Sequence, residues 1–306
     1  MTSGAQPTPR ADPSEAGLDE MTAAAAKVEA YLEQYIDSRP TPPSLREAIR
    51  YSALAPGKRL RPVLVIHGCR AVGGDEDRAL APAAAIELVH AFSLVHDDLP
   101  AMDDDDLRRG RPTLHRHTSE AMAILAGDAM LATAVELVLA QVHPAERARE
   151  IAAELVAGAN DMIAGQVYDT LPDFDEGLSA EQRLTTIHRH KTGALIRAAC
   201  RMGAIVGGGS GDAVGALTRY AEALGLMFQI VDDVLDVTQT TERLGKTAGK
   251  DAEQHKLTYP AVYGLDASRE EVQRLRKLAE RALSALEGDR ARPLSELCRV
   301  MAERTR

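Results

Sequence analysis

Six carboxylates fall within ten residues in the stretch His96-Asp97-Asp98-Leu99-Pro100-Ala101-Met102-Asp103-Asp104-Asp105-Asp106, and Arg108 and Arg109 follow at once. Like charges at this spacing repel, and the repulsion grows as water is excluded. A cation resting on them would remove that cost. Carboxylate oxygens with no thiolate at ligand spacing suit a hard ion, Mg²⁺ before Zn²⁺. On an ideal helix Asp97 and Asp103 stand about 120° apart and cannot share an ion. Pro100 lies between them, however. It lacks an N–H, clashes with the carbonyl four residues back and pushes Leu99 out of α geometry, so a break there would swing Asp103 towards Asp97. The ordinary alternative is a solvated acidic helix end.

A second acidic stretch, Met227-Phe228-Gln229-Ile230-Val231-Asp232-Asp233-Val234-Leu235-Asp236-Val237, is apolar except at four positions. At about 100° per residue, Gln229, Asp232, Asp233 and Asp236 share an arc of about 100°. The aliphatic residues fill the other side, so the acids sit on a helix that is otherwise buried. Unpaired buried carboxylates cost several kcal/mol, so this helix is expected to line a metal-holding cavity. Two further groups point to an anionic ligand. Lys58 and Arg61 lie on a turn opened by Pro56-Gly57, where a guanidinium can grip phosphate oxygens bidentately and a lysine acts as a point charge. His90, Ser93 and Asp97 lie close in azimuth on the helix leading into the first motif, so all three are expected to face the cavity.

An Asp-Asp-x₄-Asp and an Asp-Asp-x-x-Asp over a hundred residues apart resemble the aspartate-rich pair of the trans-isoprenyl diphosphate synthases. Ser93 to Gly110 is similar to the bacterial-type farnesyl diphosphate synthases nearly residue for residue, and the likeness runs from about Tyr51 to Tyr259. The resemblance implies a helical bundle around a central cavity and a homodimer. It implies a Mg²⁺-dependent condensation of isopentenyl diphosphate with dimethylallyl or geranyl diphosphate. Asp97, Asp103 and Asp232 would hold Mg²⁺, supported by Asp98, Asp233 and Asp236. Lys58, Arg61, His90 and Arg109 would hold isopentenyl diphosphate, with Arg108 and Arg109 taking one diphosphate each. Lys191, Lys246 and Lys256 would reach the allylic diphosphate, and Lys191, Thr192 and Gln229 would surround the developing cation. Gln166 and Asp169 resemble a family Gly-Gln-x-x-Asp stretch and would stand behind the metal or water. Phe92, with Ser93 beside it, would set chain length. An aromatic five residues before Asp97 would act as a floor and imply a fifteen-carbon product, farnesyl diphosphate; a longer, geranylgeranyl product is the alternative. No side chain reads as a dedicated base, and the released diphosphate can take the proton. A terpene cyclase fits less well, because cyclase pockets favour aromatic faces and the chain has no Trp and 3% aromatics. A non-catalytic prenyl-diphosphate-binding subunit could lose acids from one motif, and here all are present.

Charge and composition narrow the classes further. A net charge of −10 argues against nucleic acid and against an acidic membrane surface. Cys69, Cys200 and Cys298 form no CxxC and read as reduced thiols, which places the expected location in the cytoplasm. No stretch of about eighteen uninterrupted apolar residues is present, so no membrane span is expected. The pair His115-x-His117 has no further ligand at zinc spacing and reads as surface.

The elements that must position these groups are helices. Ala, Leu, Glu and Arg dominate and alternating runs are absent, which predicts an all-α single domain over residues 18–306 behind an irregular lead, residues 1–17. Helices are expected over Leu18 to Tyr35, from Ser44 (as a cap, with Glu47 in a capping box) to Leu54, Val63 to Ala71 and Ala79 to Asp98. Others span Glu120 to Val142, interrupted at Gly127-Asp128, and Arg149 to Thr170. A kinked helix carries Lys191-Thr192-Gly193, Asp212 is the candidate cap of the helix bearing the second motif, and the last helices carry no chemistry.

Overall fold

Prolines and glycines punctuate a chain that otherwise favours helix throughout. The computed structural model describes residues 13–171, 173–238 and 257–305. Helix α1 (Pro13–Ser38) begins inside the stretch expected to be irregular, because Pro13 pre-sets the first helical φ and helix formers follow. Helix α2 (Pro43–Ala53) is started by a proline at its first position; Pro42 occupies the cap, and Ser44 does not cap it. Helix α3 (Leu60–Ala71) follows the cationic turn, with Arg59 in left-handed geometry (φ 48°) at its N-cap. A short 3₁₀ turn, Glu76–Ala79, leads into α4 (Leu80–Asp97). The only strands among the described residues form a two-residue-per-strand hairpin, β1 (Leu107–Arg108) against β2 (Arg111–Pro112).

Helices α5 (Leu114–His117), α6 (Glu120–Gln141) and α7 (Ala145–Thr170) come next. Helix α6 runs without a break through Gly127, contrary to expectation. There the missing side chain makes room for a neighbour: a Cβ on Gly127 would lie 2.1 Å from His96 Nε2. Helix α8 (Ala180–Ile187) opens on a capping box formed by Ser179 and Gln182. It passes into a π-helical segment, His188–Gly193, and then α9 (Ala194–Val206). Helix α10 (Gly211–Thr238) carries the second motif; the Ser210 hydroxyl, rather than Asp212, accepts from a first-turn N–H, that of Ala213. Helices α11 (Tyr259–Tyr263), α12 (Leu265–Leu283) and α13 (Arg292–Glu303) complete the bundle.

The middle of the bundle is α3, α4, α9 and α10. Helix α3 packs on α9, α9 on α10 and α7, α4 on α6 and α3, and α10 on α12. Leu64, Ile86, Leu88, Leu195 and Tyr220 are fully buried there. Each such side chain contributes about 1.5–3 kcal/mol by leaving water. Residues Glu76–Asp97 and helix α6 are each long and apolar enough to cross a membrane by length and composition alone, a test that core helices also pass. The first is 72% buried in the core. The second is 44% buried and leaves Ile124, Leu125 and Leu139 on the surface.

Candidate active site

Helix α4 ends at Asp97, and the chain folds into a turn around Pro100. The Asp103 N–H donates to the Asp97 carbonyl (2.9 Å), and the Met102 and Asp104 N–H groups both donate to Leu99 O (2.8 and 3.1 Å). Asp103 is thereby brought beside Asp97. Asp104 takes a left-handed φ of 47° to complete the turn. Burial pushes the Asp97 carboxyl up to about 6, Lys191 pulls it down and Asp103 pushes it up again. So Lys191, on the π-helical segment, lies within electrostatic reach of the first motif.

Asp98 points elsewhere. It is 3% exposed and holds Arg108 by a fork: Nε to both carboxylate oxygens (2.7 and 3.0 Å) and Nη2 to Oδ1 (2.5 Å). Its oxygens, expected to support a metal, are taken by a guanidinium. The hairpin that carries Arg108 and Arg109 is pinned by Tyr51, whose hydroxyl donates to Pro112 O (2.8 Å) and whose ring stacks on His117. Arg109, at φ 53°, donates to Pro56 O (2.7 Å), tying the hairpin to the cationic turn. His115, expected at the surface, is buried with Nδ1 3.1 Å from the Thr113 hydroxyl.

The cationic turn is latched from behind. Arg59 is 7% exposed and pairs with Glu87 on α4 (2.7 Å) and Glu29 on α1 (3.2 Å), while donating to Ala55 O. Sequence reasoning passed over both Arg59 and Glu87. The signal was there: Glu87 is the one carboxylate in the apolar run from Leu80 to His96. With Arg59 neutralised from below, Arg61 is the next cation of the turn. Its Nε is buried without a partner, and burial lowers its guanidinium to about 10, opposed by Glu87 and aided by Arg109. It stays charged at neutral pH and is positioned for an anion. His90 is driven well below its usual value by burial and then by Arg61, Arg109, Arg108 and Arg59, so it is a neutral imidazole. Desolvation lowers the Lys58 ammonium, Arg304 adds to this and Asp232 opposes it. Lys58 is therefore the link to the second motif, and Arg304, just past α13, is a second cation that the sequence reading missed.

The second motif is tied to the π-helical segment. The Thr192 hydroxyl donates to Gln229 Oε1 (2.8 Å), and Gln229 Nε2 donates to Asp233 Oδ1 (3.0 Å). Asp233 Oδ2 accepts the Tyr259 N–H (2.8 Å) at the start of α11 and lies 3.5 Å from His188 Nε2. Burial holds His188 down to about 4, so that contact is with a neutral ring. Like Asp98, Asp233 is buried and serves protein groups. Asp232 remains partly exposed, while Asp236 is buried. Lys191 donates to Asp169 on α7 (2.6 Å), and Gln166 donates to Thr170 one turn on (3.3 Å). The close approach behind Lys191 depends on Gly165, where a Cβ would fall 2.1 Å from the Lys191 nitrogen. Lys246 and Lys256 lie outside the described residues.

The two motifs are thus linked through the elements between them. Asp97 is joined through Lys191 and Thr192 to Gln229 on α10, and Asp232 is joined through Lys58 to the cationic turn. Among the described residues no three carboxylate, imidazole or thiol groups converge into a ready-made ion cage. The carboxylate oxygens of Asp97, Asp103, Asp232 and Asp236 are hard donors of the kind Mg²⁺ takes. The family model for polyprenyl synthetases matches residues 42–290. The chain belongs to the polyprenyl synthetase family. It is 49% identical over 271 residues to geranylgeranyl pyrophosphate synthase 11 of Arabidopsis thaliana, covering 85% of this chain and 75% of that one. Among solved structures it is similar to an FPP/GFPP synthase from Zymomonas mobilis (TM-score 0.82, 32% identity, 94% and 99% of the two chains). It is also similar to the geranylgeranyl pyrophosphate synthetase of Pyrococcus horikoshii Ot3 (TM-score 0.84, 31% identity, 95% and 99%). As a polyprenyl synthetase, the chain is a prenyltransferase of isoprenoid synthesis, and the two aspartate motifs with the cations linked to them are its candidate active site.

Proposed function

We propose that this polyprenyl synthetase joins isopentenyl diphosphate head-to-tail to dimethylallyl, geranyl and farnesyl diphosphates, with geranylgeranyl diphosphate as its main product. The observation that carries the longer product is the direction of Phe92. It packs edge-on to His96 (ring centroids 5.8 Å), one turn ahead on α4. His96 in turn is bonded to Ile124 O on α6 (3.1 Å). Phe92 therefore faces α6, about 140° around the helix from Asp97 at 100° per residue. The residue one turn below Asp97 on its own face is Ser93, a small side chain that bonds back to His90 O (2.9 Å). A tail entering below Asp97 meets Ser93 rather than an aromatic floor. This reading replaces the fifteen-carbon expectation drawn from Phe92, and similarity to the Arabidopsis geranylgeranyl pyrophosphate synthase supports it.

Asp97, Asp103, Asp232 and Asp236 are the residues that would hold Mg²⁺. The bound ion would supply positive charge to the leaving diphosphate. Lys191 neutralises the same diphosphate from the π-helical segment. The Thr192 hydroxyl and Gln229 amide present their dipoles to the carbon that loses it, so that the allylic cation forms beside fixed oxygens. Arg61, Lys58 and Arg109 hold isopentenyl diphosphate with its double bond towards that carbon, and neutral His90 can donate one N–H to a phosphate oxygen. The new carbon–carbon bond leaves a tertiary cation, whose proton passes to the departed diphosphate. The apolar walls of α4, α9 and α10 keep water from the cation.

A homodimer is part of this proposal. Ile124, Leu125 and Leu139 on α6, with Val156, Ile163 and Val167 on α7, form an exposed apolar face on two packed helices. The deciding experiment is mass analysis of the products from isopentenyl and dimethylallyl diphosphates with Mg²⁺, for the wild type and Phe92→Ala. A twenty-carbon product, unchanged in length in the variant, is expected. A fifteen-carbon product that lengthens in Phe92→Ala would restore the floor. Sedimentation of the wild type and Leu125→Glu tests the dimer.

A further inference from the structure

A cleft of about 700 Å³ opens behind the π-helical segment between α9, α10 and α12. It lies within the size range of small-molecule sites. Arg189 and Gly193 line it, whereas Lys191 and Thr192, between them in sequence, do not. The cleft thus shares a wall with the active site without being part of it. Its floor is apolar: Ala223 and Leu226 of α10, and Leu275, Leu278 and Ala282 of α12. Its rim carries Arg189, Arg197, Arg219, Arg274 and Arg281 against the single acid Glu222. Arg197 is paired with Asp161 and Arg274 with Glu271. Arg189, Arg219 and Arg281 have no carboxylate within ion-pairing distance among the described residues. In a chain of net charge −10, three unspent guanidinium groups around a greasy floor are complementary to one chemistry, a multiply charged phosphate head on a single apolar tail.

We propose that this cleft binds a prenyl diphosphate, the class of molecule the enzyme releases, and that occupancy is relayed to Lys191 and Thr192 through the π-helical segment. The choice of ligand rests on the function proposed above. A head group bridging Arg189 to Arg219 and Arg281 would tie the π-helical segment to α10 and α12. The same segment holds the Thr192–Gln229 hydrogen bond and the Lys191–Asp169 pair. π turns of this kind are rare and are found frequently at functional sites.

The test is titration of geranylgeranyl diphosphate into the full-length enzyme in EDTA, with isopentenyl diphosphate saturating. Without Mg²⁺ the aspartates repel a diphosphate, and isopentenyl diphosphate occupies Lys58 and Arg61. Binding that persists under these conditions reads the arginine cleft. We expect one such site per chain, weakened about tenfold or more by Arg219→Glu with Arg281→Glu, and by a smaller factor in Arg219→Gln. Both variants should retain wild-type turnover at low product. Wild-type inhibition by geranylgeranyl diphosphate should persist at high allylic substrate, and in the double variant it should become purely competitive. No Mg²⁺-independent binding, binding unmoved by the substitutions, or equal binding of oleate or phosphatidic-acid vesicles would each overturn the proposal. The titration involves no turnover, so a shorter main product would overturn the chain-length reading and leave this measurement intact.

Discussion

The two aspartate motifs solve one problem in opposite surroundings. The first sits where a helix ends: Pro100 breaks α4, a turn held by backbone hydrogen bonds folds Asp103 back, and the counter-charge comes from Arg108 ten residues on. The second sits inside an unbroken helix, and its partners come from elsewhere, Thr192 through Gln229 and the Tyr259 N–H. Yet both divide their acids alike. The second aspartate of each adjacent pair, Asp98 or Asp233, is buried and holds protein groups. The first, Asp97 or Asp232, stays partly exposed. Under the function proposed above, each Asp-Asp pair thus has one residue for the ligand and one for the frame, whether the motif is a turn or a helix.

The largest effects test the ligand half of that division. Asp97→Ala and Asp232→Ala should each lower kcat by about a hundredfold to a thousandfold, the usual loss when charge stabilisation of a transition state is removed. Melting temperature should hardly fall. If either variant retained kcat within a few-fold, the two motifs would not be equivalent, and the shared-site reading would fail for that one.

Intermediate effects test the frame half. Asp98→Asn swaps a charged acceptor of the Arg108 fork for a neutral amide. Asp233→Asn leaves an amide donor facing either the Gln229 amide or the Tyr259 N–H. Both should cost about 1–3 kcal/mol of stability, because a buried donor loses its acceptor. Thermal unfolding of the metal-free protein measures this directly. Their kcat losses should be smaller than those of Asp97→Ala and Asp232→Ala, and extra Mg²⁺ should not rescue them. A variant that keeps its stability but recovers activity with excess Mg²⁺ would move that aspartate from the frame to the metal.

What the sequence made legible follows the same line. Helices were readable because helix formers fill them and Pro or Gly closes them. The Pro100 break was readable because a proline's geometry acts on its own neighbours. The frame was harder to see. Arg59 and Glu87 lie 28 residues apart, and nothing local says that a left-handed arginine will point inward at an acid on another helix. Gly127 reads as a helix interruption by propensity and is instead space for His96. Lys191 was placed by family resemblance, but its partner Asp169 and the π geometry around it depend on how α7 crosses that segment at Gly165. For Phe92 the position in the motif does not give side-chain direction; in the structure its ring packs edge-on to His96, which is bonded to α6.

The smallest effect has the opposite sign and separates the two halves most cleanly. Burial holds the Asp97 carboxyl at about 6, against about 3.9 in the unfolded chain. Between those values the folded protein keeps a proton that the unfolded one has lost. Stability of the metal-free protein therefore falls as pH rises through that window, and the penalty is fully present above it. Asp97→Asn removes the penalty. It should leave stability unchanged near pH 4 and raise it at pH 8, by up to about 2 kcal/mol. Melting curves at the two pH values, in EDTA, measure the difference. Asp233→Asn should be destabilising at pH 8, since its oxygens are matched to donors. Opposite signs at pH 8 for two substitutions of the same type would mean that Asp97 is held at a cost which a cation-bearing diphosphate relieves. Equal signs would mean that the strain assigned to Asp97 is absent, and that the two acids of a pair do not divide their roles.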